Sequence, residues 1–137
     1  MSRKSKTEKK IRKVSSTVDR YGKILHIFEA TYRQNFYHVY AKNYQDYRRT
    51  ILKQLGVPHD DGEDHKSGGR FEVYTREGMD VGFIWSTNGE MGMLAHECFH
   101  ATHWLLRSRG IQLSDELGEV YAYMIQFLMN SILTGKV

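Results

Sequence analysis

An α+β domain is what this sequence predicts, and three observations predict it. Two runs rich in β-branched and aromatic residues are followed by a helical stripe, two more such runs follow a polar loop, and the last third carries helical periodicity twice. At 137 residues and 40% hydrophobic content, the chain is long enough to bury one modest core. The expected architecture is a small, mainly antiparallel sheet with a packing helix and two C-terminal helices.

The elements can be taken in order. Residues 1–20 carry eight Lys/Arg and two acids (+6), leaving 12 basic against 14 acidic residues (−2) for the rest of the +4 chain. With almost no apolar residues in "SRKSKTEKKIRK", this composition predicts a basic, loosely ordered tail over 1–20 and a folded domain over 21–137. The tail would draw nucleic acid or another acidic partner, or serve simply as a solvated terminus. It runs into "KIRKVSSTVDR" rather than an apolar core with a small-residue cleavage site, so it does not read as a secretion signal. No apolar run reaches the length of a membrane span, so a soluble domain without a membrane partner is expected. The single Cys98 can form no internal disulfide, which suits a reducing cytoplasm.

"KILHIFEATY" and "NFYHVYA" read as two strands joined near residues 33–35. In "NYQDYRRTILKQLG" the period changes: Tyr44, Tyr47, Ile51, Leu52 and Leu55 form a helical stripe, and Gly56 stops it. "VPHDDGEDHKSGG" is a loop by its composition. Its acidic, His-flanked core, His59 to His65, suits Ca²⁺ or a weakly held transition ion in donor type. It lacks the acid spacing and closing glutamate of a calcium loop, and a solvated loop or a flap over a cleft is the simpler expectation. "RFEVYTR" and "DVGFIWS" are two further strands around the turn "EGM". Helices are expected from Thr87 to Arg107 and from Ser114 to about Leu133, with Gly110 between them.

The first of these helices carries "MLAHECFHATHW". Residues four apart lie one above the other on a helix, so His96 and His100 present two imidazoles to one point while Glu97 sits beside them. Thr87 and Glu90 stand at capping-box spacing ahead of the motif. Catalytic zinc takes three protein ligands, and the next helix offers Asp115, Glu116 and Glu119. Glu119 is the choice, because Gly118 and Ala122 are small residues that would let the two helices approach closely. Glu116, one turn earlier, is the reserve. Asp115 and Glu116 also suit a helix's first turn, where the dipole favours acids.

The segment His96 to Tyr123, "HECFH" followed by "EVYAY", resembles the zincin metallopeptidases and, among them, the glutamate-ligand gluzincins. In several of those families the third ligand opens a Glu-x-x-Ala-x pattern, which Glu119 to Tyr123 matches, 19 residues after His100. A metzincin is disfavoured because Leu106 stands where its third histidine would be and His103 where its glycine would be. An aspzincin, using Asp115, is a minor alternative. Small proteins of this appearance also occur in phage and prophage genomes, which would place this one in the host cytoplasm.

The resemblance implies a minimal zincin-like domain that hydrolyses peptide bonds in a peptide or protein substrate through a metal-activated water. His96, His100 and Glu119 would hold Zn²⁺, and Glu97 would be the general base that moves the water's proton to the leaving amine. Tyr123, Tyr121 and His103 are the candidate donors to the oxyanion, with Tyr123 alternatively orienting the ligands. In zincins an edge strand pairs with the substrate, and "DVGFIWS" stands in that place, with Trp85 and Phe83 as pocket or core residues. Cys98 is expected to be a small buried residue rather than a ligand. Two competing readings remain: a non-catalytic zinc module that uses the basic tail to engage nucleic acid or a protein, and a protease recruited to nucleic acid.

Overall fold

The computed structural model describes residues 16–18, 20–58, 68–87 and 91–135. The chain runs β1 (Ser16–Val18), β2 (Gly22–Glu29), β3 (Gln34–Ala41), α1 (Tyr44–Leu55), β4 (Gly69–Arg76), β5 (Met79–Ser86), α2 (Met91–Ser108) and α3 (Gly118–Thr134). The strands form one sheet in the order β1-β2-β3-β5-β4. Three of the four pairings are antiparallel, and β3–β5 is parallel. This is the α+β class that the sequence predicts.

Alternation along the strands explains the layering, because successive side chains point to opposite faces of a sheet. Leu25, Ile27, Phe36 and Ile84 face α2 and α3, where they meet Leu94, Cys98, Leu105, Tyr121 and Leu128. Ile24, Val39, Phe83 and Trp85 face α1, against Tyr44, Tyr47 and Ile51. Both faces of the central strands are therefore covered, which is why β2, β3 and β5 read as nearly continuous apolar runs. Trp85 and Phe83 are core residues: Trp85 stacks on Tyr47 at 5.4 Å between ring centroids, and its indole N–H donates to the Ala41 carbonyl.

Local chemistry fixes the ends. The Asn43 side chain caps α1 by accepting from the Asp46 amide at 2.8 Å. Gly56 closes the helix in the left-handed conformation (φ 72°), with its N–H on the Leu52 carbonyl. The β4–β5 turn is two residues, Glu77 and Gly78, both at positive φ, as a tight hairpin requires.

Four expectations change. Ser16–Val18, within the 1–20 segment expected to be a loosely ordered tail, pair with β2; residues 1–15 lie outside the described residues. α2 begins at Met91 rather than Thr87, whose amide instead donates to the Gly68 carbonyl and ties it to the start of β4. Glu90, the other half of the expected capping box, lies outside the described residues, as does the His59–His65 loop. α3 begins at Gly118 rather than Ser114, because the Ser114 hydroxyl accepts from the Leu117 amide in a separate turn. Finally, "DVGFIWS" is not an edge strand: β5 is paired on both sides, and β4 forms that edge of the sheet. Strand order depends on the parallel β3–β5 pairing, which no local pattern encodes.

Candidate metal centre

α2 lies across β4 and β5 and against α3. Its buried stripe, Leu94, Glu97, Cys98, Ala101, Thr102, Leu105 and Leu106, contains one carboxylate among otherwise apolar or small residues. That carboxylate, Glu97, is 5% exposed. His96 and His100 flank it on the exposed side of the helix, with their Nε2 atoms 3.1 Å apart. Two nitrogens bound tetrahedrally to one zinc at the usual Zn–N length would stand about 3.3 Å apart, so the imidazoles already have nearly the required spacing. Ligand atoms of His96, Glu97 and His100 all lie within 4.8 Å of one another. The two imidazoles fit a divalent transition ion, with the Glu97 carboxylate within reach of the same point; imidazole does not by itself select which ion.

Burial drives the Glu97 carboxyl above the usual carboxylate range. The charges of His96 and His100, a backbone hydrogen bond from Phe71 and the charge of Arg70 oppose that rise. Raised basicity and a direct view of the paired histidines are what a proton-accepting group in such a site needs. The Cys98 thiol is pushed up to about 12 by burial, with the Glu97 charge adding to it, so it is a packed apolar residue rather than a thiolate ligand.

The carboxylate is set by a close approach that the sequence reading missed. Gly69 opens β4 directly under α2, where an added Cβ would stand 2.5 Å from Met93 Cγ, 3.0 Å from the Trp85 carbonyl and 3.1 Å from Glu97 Cγ. Only a residue without a side chain lets β4 run this close to Glu97. The glycine pair Gly68–Gly69 is the sequence signal for this approach.

A cleft of about 550 Å³ opens between the start of β4 and α2. Gly69, Arg70 and Phe71 form one wall; Glu97, His100, His103, Trp104 and Arg107 form the other. His103 thus stands in the cleft one turn beyond His100, stacked on Phe99 at 6.0 Å. The other expected residues are elsewhere. Glu119, Ala122 and Tyr123 lie on the exposed side of α3, opposite its buried stripe of Tyr121, Met124, Leu128, Ser131 and Ile132. Tyr123 is 66% exposed. An added Cβ on Gly118 would meet nothing within 4 Å, so Gly118 and Ala122 are not the helix-packing face. The structure brings His96, Glu97, His100 and His103 together on α2, and it does not bring Glu119 or Tyr123 to them. Asp115 and Glu116 are exposed in the turn before α3. Tyr121 is buried, and its hydroxyl donates to the Ile111 carbonyl at 2.9 Å, fixing the α2–α3 connection rather than facing the cleft.

Comparison with known proteins gives no further guide: no family model, no curated protein and no solved structure matches this chain.

Proposed function

We propose that the chain is a zinc-dependent metallopeptidase that works at the cleft between α2 and β4. The observation that carries this reading is the pairing of His96 and His100, 3.1 Å apart at Nε2, around a buried and basic Glu97. His96 and His100 would hold a Zn²⁺ ion there, which would supply Lewis acidity to a water and to a scissile carbonyl. Glu97 accepts the water's proton and passes it to the departing amine. His103, in the same cleft, is the donor to the oxyanion. The substrate is an extended peptide or protein segment that lies along β4, the outermost strand beside the site, which takes the role first expected of β5.

The third ligand in this reading is Glu119, from the first turn of α3, with Glu116 and Asp115 as neighbouring carboxylates. It requires that turn to rotate toward the histidines when the ion binds. Metal content by mass spectrometry, on wild type and Glu119→Ala, tests the assignment. About one zinc per chain, sharply reduced in the variant, is the expected result. Zinc retained by the variant moves the third ligand elsewhere. A wild-type protein that takes up no zinc when it is supplied overturns the proposal.

A further inference from the structure

A second group of side chains lies away from this cleft, around Tyr21 at the turn between β1 and β2. Three cations converge on its ring: the Arg20 guanidinium carbon at 4.7 Å from the centroid, that of Arg49 at 5.5 Å and the Lys53 ammonium at 5.7 Å. Arg20 also donates a hydrogen bond to the Tyr21 hydroxyl. Gly22 pairs with Ala41, so Lys42 stands opposite Tyr21 at the same end of the hairpin. Arg20, Lys42, Arg49 and Lys53 are all exposed. Among the described residues Asp46 lies 3.5 Å from Arg49, and Asp19 adjoins Arg20 in sequence, two acids against these four cations.

Gathering like charges costs Coulomb energy, and a ring that attracts each cation through its quadrupole offsets part of that cost. It also holds the long side chains in place before a ligand arrives, so less freedom is lost on binding. We infer that the Tyr21 platform, with Arg20, Lys42, Arg49 and Lys53, is a binding site for the phosphate backbone of a nucleic acid. Arg49 and Lys53 are one helical turn apart, about 6 Å of rise, close to two nucleotides along one strand. Of the fifteen residues that precede β1, seven are Lys or Arg and one is Glu, so the sequence adds charge of the same sign next to the patch. A linear polyanion matches both features. Tyr21 is half-buried, so its ring supports the cations rather than serving as an apolar wedge for a membrane surface.

The test is fluorescence anisotropy of the full chain with a labelled 20-nucleotide oligo-dT and a 20-base-pair duplex, at salt from 50 to 300 mM. Binding that weakens steeply with salt is expected. Arg49→Glu/Lys53→Glu should bind at least about tenfold more weakly at 50 mM and lower the log–log salt slope by about 1–2. Arg49→Lys/Lys53→Arg, which keeps the charge, should bind like wild type, and unchanged circular dichroism in both variants excludes misfolding. Equal binding by the charge-reversed variant, no binding at 50 mM, or displacement by polyglutamate as effective as by unlabelled oligonucleotide would each overturn the inference.

Discussion

At the scale of single residues, Glu97 is a carboxylate placed where the fold calls for an apolar side chain. It occupies a position of the buried stripe of α2, where the helical period calls for an apolar residue, and burial raises its proton affinity. Glu97→Gln keeps shape and hydrogen-bonding capacity but cannot take a proton. On the metallopeptidase proposal, peptide hydrolysis should fall by about 10²–10⁴-fold while bound zinc, measured in the same samples, is unchanged. A variant that loses zinc as well would make Glu97 a ligand rather than the base. His96, Glu97 and His100 were legible in the sequence because their geometry is set within two turns of one helix. His103 was legible for the same reason. The loss of Glu119 and Tyr123 from the group has the opposite cause: the rotation of α3 about its axis is set by which of its faces packs on α2, and two small residues were a misleading guide to that face.

At the scale of elements, two glycines that look alike in sequence have opposite roles. Gly69 sits where β4 passes beneath α2, and a methyl there meets the Trp85 carbonyl, which cannot move without disturbing the β4–β5 ladder. Gly69→Ala should lower stability by about 1–3 kcal/mol, the usual cost of overpacking, seen as a lower midpoint in urea. Because Glu97 Cγ is the third neighbour, hydrolysis should drop further than the loss of folded protein explains. Gly118, at the first turn of α3, faces open space. Gly118→Ala should raise stability by up to about 1 kcal/mol through helix propensity and a less flexible unfolded chain. A destabilised Gly118→Ala protein would restore the close helix approach that the sequence suggested. Element type was readable from local period throughout, whereas element order was not. β5 directly precedes α2 in sequence, which is what suggests it as the substrate strand, whereas the pairing order makes the half-exposed, polar β4 the edge.

At the scale of the whole molecule, the three layers converge on the middle of β3, and there they bury an ionisable group. His38 is fully buried; its Nε2 lies 3.1 Å from the Ser86 hydroxyl, and its Nδ1 has no hydrogen-bond partner among the described residues. The Tyr40 ring stands edge-on to it at 4.3 Å. Burial, and secondarily the charge of Lys23, push its pKa from 6.5 down to about 3. The imidazole is therefore neutral in the fold at pH values where the unfolded chain already protonates it. Between those limits the unfolded state binds more protons, so the contribution of His38 to stability is complete above about pH 6.5 and is lost as the pH falls toward 3. The steepest loss from one such group is about 1.4 kcal/mol per pH unit. Urea unfolding at pH 7.5, 6, 5 and 4.5, with a chelator present so that no metal binding enters, should show wild-type stability falling across this series. His38→Gln should begin less stable at pH 7.5, since it disturbs a packed site, yet decline less steeply on acidification. The two curves should then approach each other toward pH 4.5. Parallel curves would mean that His38 keeps its ordinary proton affinity in the folded protein, and that the sheet opens enough at its centre to hydrate a charged imidazole.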